Sequence, residues 1–241
     1  MDRAGVLSRL AASMAGAESA EPPALRLCRA CVEILGARGG AITLAPDESA
    51  RWTVCASDEL AGTLEDLEDV LGEGPGQEAA RTGAGVVLRL SDDADGGLAE
   101  FVHQARGVAG PTTLYSWPLL PSPGSVGVLT VHQADDVPLA LADDERRILA
   151  DAVGAALLHD TVTVAGAASS WRPRATVHQA TGMVVAQLGV SPDDALALLR
   201  AHAFADSTTL AELATSVVER RYDFSRADDS PPLGRVRRDH H

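Results

Sequence analysis

The sequence predicts an α+β chain in two parts: helices around an antiparallel sheet, then a C-terminal all-α unit of three helices. Three observations carry this. Residues 177–217 hold three apolar stripes at the helical period, separated by two helix-start signals, Ser191-Pro192 and Thr209-x-x-Glu212. Residues 40–57 and 112–132 instead alternate apolar and polar positions over short runs broken by turns, which is the period of strands. The charge is also uneven, since the first 167 residues hold 11 Arg against 25 Asp and Glu, a net −14, whereas the remaining 74 hold 9 of each.

Taken in order, residues 2–15 place Val6, Leu7, Leu10 and Met14 on one helical face. Pro22 and Pro23 open a second helix that runs to Leu35, with Gly36, Gly39 and Gly40 as stop signals. Ile42 and Leu44 mark a strand in GAITLA, and Trp52, Val54 and Ala56 a second one over 51–57. Residues 58–71 predict a helix with Leu60, Leu64, Leu67 and Leu71 on one face, and Glu65, Asp66, Glu68 and Asp69 are read as its solvated acidic face. LGEGPG at 71–76 follows a helix and lacks the Lys and Ser or Thr of a P-loop, so it is read as a tight turn and not as a phosphate cradle. A short helix at 77–81, a strand at 85–90, a helix at 98–104 and two strands at 112–120 and 125–132 joined across PSPG complete a sheet of five or six strands. From Asp143 a long helix carries Ile148, Ala152, Ala155 and Leu158 at coiled-coil spacing, which predicts a homodimer through that stripe.

The C-terminal unit is defined by its own punctuation. Val177, Ala180, Val184 and Leu188 form the first stripe, and Gly189 ends that helix. Ser191 caps the second, with Pro192 at its first position and Asp194 facing the unpaired amides; Ala195, Leu199 and Ala203 point inward. Thr209 and Glu212 form a capping box for the third, whose apolar face is Leu210, Leu213, Ala214 and Val217. The expected division is a sensor-like domain at 1–163, a linker at 164–173, a three-helix domain at 174–224 and a disordered tail at 225–241, the chain being polar and Pro-containing from Asp223 onward.

The run HQATGMVVAQLGVSPDDALALLRAHAF resembles the ANTAR domain, the RNA-binding three-helix module of bacterial transcription antitermination regulators. Ala180, Gly182, Ala195, Ala203 and Ala214 fall where that family has small residues, and are expected to support close helix crossings. GGAITL, LGEGPG, EAARTG, VVLRL and SVGVLTVH together resemble the GAF sensor domain over roughly residues 20–160. The two resemblances imply a signal-responsive RNA-binding regulator, without enzymatic activity, that acts by transcription antitermination at hairpin loops of nascent mRNA. Its control would be a small-molecule ligand of unknown identity or dimer geometry.

Candidate RNA contacts are Arg174, His178 and Thr181, a polar stripe flanking the first apolar one, Arg200 and His202 on the second helix, and Arg220 and Arg221 closing the third. On spacing alone these are surface charges, the last two complementing a helix C-terminus. The resemblance makes them contacts, Arg to phosphate and hydrogen bonds to unpaired loop bases. Because the C-terminal part is neutral, attraction must come from a local patch, with a modest salt dependence. Aromatic residues are only 3%, so no stacking platform for bases is evident. A DNA-binding helix-turn-helix regulator and a dimeric protein-interaction module without nucleic-acid binding stay open as alternatives.

Other chemistries are narrowed. The chain contains no Lys, which excludes Schiff-base catalysis, and it shows no HExxH, nucleophile elbow or phosphate loop. No metal site or cofactor is expected. Cys28 and Cys31 have CxxC spacing, yet Leu25, Cys28, Val32 and Leu35 make one helical stripe, so core packing is expected and a redox role left open. His132, at a strand end, is read as a core histidine or a pocket residue. No apolar run reaches the roughly 20 residues that span a bilayer, and a cytoplasmic protein is expected.

Overall fold

The structure, a computed structural model, describes residues 3–16, 21–47, 50–92, 98–120, 127–164 and 172–226. The expected PSPG turn, most of the expected linker, and Arg235, Arg237 and Arg238 lie outside them. The chain divides into two compact units, one holding residues 1–68 and 73–166 and the other residues 69–72 and 167–241.

The N-terminal unit comprises α1 (Arg3–Gly16), α2 (Pro23–Leu35), β1 (Gly39–Asp47), β2 (Ala50–Ala56), α3 (Glu59–Leu71), α4 (Pro75–Thr82), β3 (Val86–Arg89), α5 (Ala99–Ala109), β4 (Thr112–Leu119), β5 (Gly127–Ala134) and α6 (Asp143–Val164). Its five strands pair in the order β2-β1-β5-β4-β3, every pair antiparallel. Period-two alternation sends Ile42, Leu44, Trp117, Leu119, Leu129 and Val131 to one face, where they share a core with Val6 and Leu10 of α1, Leu27, Cys28, Ile34 and Leu35 of α2, and Leu149, Val153 and Leu157 of α6. Each such side chain, fully buried, contributes on the order of 1.5–3 kcal/mol relative to exposure. Cys28 and Cys31 are buried in this core, and the Cys28 thiol donates to the Gly40 carbonyl at 3.2 Å. A hydrogen bond with the Cys55 thiol and then burial push the Cys28 thiol up, the behaviour of a packing cysteine.

The sheet's other face mixes polar and apolar groups. Thr43, Ser116, Thr130 and His132 are buried there beside their cross-strand neighbours Ala41, Leu114 and Val128, with Ser116 and Thr130 hydroxyls 3.1 Å apart and His132 Nε2 3.0 Å from the Asp58 carboxylate. His132 is therefore a core histidine held by a partner.

The stripe that α6 turns to the core is Leu149, Ala150, Val153 and Leu157; of the residues of the expected dimer seam beside it, Ile148 and Ala152 are half-buried against this core and Ala155 and Leu158 are exposed. One expectation for this unit is corrected: the acidic side of α3 is not a solvated face at Glu65 and Glu68, whose side chains are each 2% exposed against the Arg51 guanidinium. The Oε2 atoms of Glu65 and Glu68 lie 2.6 and 3.0 Å from one Arg51 nitrogen, and Thr43 donates its hydroxyl to Glu65 at 2.6 Å. The LGEGPG turn cradles a carboxylate of the chain itself. Gly74 caps α4 without a side chain, and the Glu68 carboxylate accepts from the Gly76 and Gln77 amides at 3.0 and 3.1 Å in its place. A Cβ at Gly74 would come within 2.2 Å of Glu68 Cγ, and one at Gly76 within 2.9 Å of its Oε2, so both glycines are needed for the approach.

The C-terminal unit comprises α7 (Arg172–Leu188), α8 (Pro192–Ala205), α9 (Leu210–Val218) and a 3-10 turn at Phe224–Arg226. Both caps form as their residues demand. Ser191 Oγ accepts from the Asp194 amide at 3.2 Å, and Thr209 and Glu212 exchange two hydrogen bonds of 3.1 Å in a full capping box. Gly189, at φ +68, closes α7 through its amide and the Val185 carbonyl. The core is Ala180 and Val184, Ala195, Leu199 and Ala203, and Leu210, Leu213, Ala214 and Val217, with Tyr222 and Phe224 added from beyond α9. Phe224, within the polar stretch that begins at Asp223, is 5% exposed and its amide donates to Gln187 Oε1 at 3.1 Å, so the core reaches the end of the expected 174–224 unit.

Candidate nucleic-acid interface

Scaffold and surface separate cleanly along the helices of the C-terminal unit. Ala180, Ala195, Ala203 and Ala214 are each 0% exposed, so small side chains lie in the core between the helices. Gly182 does not belong with them. It is exposed, and a Cβ added there would meet nothing within 4 Å among the described residues. The reason is angular: at about 100° per residue, two positions past Ala180 and two before Val184 lies almost opposite the buried line. Gln179, Gly182 and Ala186, at spacings of three and four, make one exposed face of α7.

Arg174 and His178 are helical positions of α7 whose side chains lie outside the described residues; by backbone position His178 is about 40° from Gly182 around the axis, and Arg174 about 40° further. Thr181 is half-buried and its hydroxyl donates to the Val177 carbonyl at 2.8 Å, within its own helix. Arg200 is half-buried on α8.

His202, expected among the RNA contacts, is half-buried and has partners inside the unit. Its Nδ1 is 2.6 Å from the Tyr222 hydroxyl, and its ring packs edge-on against Tyr222 and Phe224, with centroids 5.6 and 4.7 Å away. Burial, and then the nearby Asp206 carboxylate, push the Tyr222 phenol up, which keeps it neutral in this cluster. The partner lies 20 residues along the chain, so no spacing on α8 pointed to it.

Arg220 and Arg221 are exposed past the end of α9. Arg220 takes the left-handed conformation, φ 58, and its amide and that of Arg221 donate to Val217 and Ser216 carbonyls at 3.0 and 2.8 Å, which ends the helix and turns the chain toward Tyr222. Arg221 pairs with Glu219 at 2.6 Å with both side chains more than half exposed, a contact worth little in water and readily exchanged for another anion. Phe204 on α8 is 45% exposed, an aromatic surface that composition did not reveal.

Among the described residues, no group of three or more His, Cys, Asp and Glu side chains is placed to hold a metal ion, and no helix is long and apolar enough to cross a membrane.

Residues 168–218 match the family model of the ANTAR domain. Among solved structures, the chain is similar to the A. aeolicus nlh2 GAF domain in an inactive state, with 13% identity over 63% of this chain and 90% of that one and a TM-score of 0.40. It is also similar to an RNA-binding light-oxygen-voltage receptor, with 22% identity over 76% of this chain and 47% of that one and a TM-score of 0.23. No protein of curated function matches.

Proposed function

With residues 168–218 as an ANTAR domain, we propose that this chain is a signal-responsive regulator that binds hairpin loops of nascent mRNA and acts by transcription antitermination. The observation that carries the reading is the family match itself, lying over a unit with its own closed core and caps. The exposed α7 face around Gly182, with Arg174 and His178 on its flank, is the RNA-contacting side, joined by Arg220 and Arg221. Gly182, with no side chain above it, lets a phosphate or base approach the helix backbone closely. The N-terminal unit is the GAF-like sensor, and the protein works as a homodimer. The exposed end of the α6 stripe, Ala155 and Leu158, supports a seam there. Sedimentation of Ala155→Glu/Leu158→Glu should show loss of the dimer, and an unchanged mass places the seam elsewhere.

The test of the main reading is titration of the full chain with a two-hairpin leader RNA and with duplex DNA of equal length at several salt concentrations. Preference for the RNA with a shallow salt slope is expected, because few cations face the nucleic acid. Preference for duplex would point to a DNA-binding regulator, and binding to neither to a protein-interaction module.

A further inference from the structure

Arg51, Glu65 and Glu68 form a buried cluster of one cation and two carboxylates that joins four elements, β1, β2, α3 and α4. Glu65 and Glu68 stand three residues apart on α3 and so share a face, which is turned to β2. Both reach the same Arg51 nitrogen, at 2.6 and 3.0 Å, from side chains 2% exposed, with the guanidinium 7% exposed. From β1, the Thr43 hydroxyl donates to Glu65, and the Thr53 hydroxyl of β2 is 3.3 Å from that of Thr43. From α4, the Gly76 and Gln77 amides donate to Glu68, and the Gln77 side chain donates to the Glu68 carbonyl at 2.6 Å. Of the other charges nearby, Glu59 and Asp66 of α3 are exposed, Glu78 and Arg81 of α4 pair with each other on the surface, Glu73 accepts from the Phe101 amide, and Asp58 faces His132.

Two carboxylates at one guanidinium leave an excess negative charge in the core when both are ionised, and like charges this close do not ionise independently. Glu68 is also the group that holds the first turn of α4, through a gap that Gly74 and Gly76 keep open. We infer that the Arg51–Glu65–Glu68 cluster is a proton-operated latch: with one proton on the carboxylate pair, α4 is held firmly to α3, and loss of that proton loosens the α3–α4 corner of the N-terminal unit. Burial pushes the Glu68 carboxyl up to about 8, opposed first by Arg51, reinforced by Glu65 and opposed again by the two amides. The sign follows from linkage. A carboxyl raised in the folded state contributes stability that is complete below its unfolded value near 4.5 and lost as pH rises through about 8.

The experiment uses the full chain, its Glu68→Gln variant, which keeps the shape of the neutral form, and Glu65→Gln. Infrared difference spectra between about pH 6 and about pH 9 should show a protonated-carboxyl band disappearing in the parent and missing in Glu68→Gln. Over the same range, exchange protection of the Gly76 and Gln77 amides, corrected for base catalysis, should fall in the parent and stay level in Glu68→Gln. Glu65→Gln removes the repelling charge, so the parent's transition should move to lower pH; this arm stands even if Glu68→Gln fails to fold. Absence of the carboxyl band in the parent, equal loss of protection in parent and Glu68→Gln, or an unmoved transition in Glu65→Gln would overturn the latch.

Discussion

In the N-terminal unit, the side chains of Arg51, Glu65, Glu68 and His132 are buried, and each is held by another element. In the C-terminal unit, the buried line is Ala180, Ala195, Leu199, Ala203, Leu213 and Ala214, while Glu212 serves in a cap and the described arginines, Arg200, Arg220 and Arg221, are exposed or half-buried. The two kinds of core fail differently. One depends on pairing charges that burial has made costly, the other on how closely helix axes approach.

The largest expected effect breaks the first kind. Arg51→Met leaves both carboxylates buried without their guanidinium, and breaking such a pair costs about 3–5 kcal/mol. Hydrogen exchange of α3 and α4 peptides should show the loss at neutral pH and its partial recovery in acid, as the carboxylates take up protons. Recovery in base would invert the account. The second kind is tested by Ala214→Leu, which overfills a site that is 0% exposed and should cost about 1–3 kcal/mol. The loss should be equal at acid and neutral pH and confined to peptides of α7, α8 and α9. A smaller effect, about 1 kcal/mol, is expected for Thr209→Ala, read as earlier denaturant unfolding of the C-terminal unit. Sensitivity of the N-terminal unit to that change would show that the two cores are not separate.

The same contrast explains what the sequence disclosed. Ser191 with Asp194 and Thr209 with Glu212 are local signals whose partners lie three residues away, and the stripes of α8 and α9 face inward as their period requires. Arg51 and Glu65 are 14 residues apart, and Glu68 meets amides 8 and 9 residues on. A run of acidic residues at helical spacing looks the same whether its face is wet or turned to an arginine on a strand. His202 shows the same limit in the other unit, since its partner Tyr222 comes from beyond α9. Gly182 is different, because the information was local: the line through Ala180 and Val184 already placed it outward, and only its small size argued for a crossing. α6 is apolar on more than one side, so its sequence did not tell the face that packs on the sheet, Leu149, Val153 and Leu157, from the stripe through Ile148 beside it.

Segregation of scaffold from contact surface in the C-terminal unit is the central claim, and Gly182→Leu tests it most directly. RNA titration and denaturant unfolding would be measured on the same full-length preparation. The account predicts unfolding as in the parent, since open space lies above the glycine, together with RNA binding weakened by about tenfold or more, or about 1.4 kcal/mol. A variant that unfolds earlier and loses binding only in proportion, or one that is stable and binds as well as the parent, would contradict it.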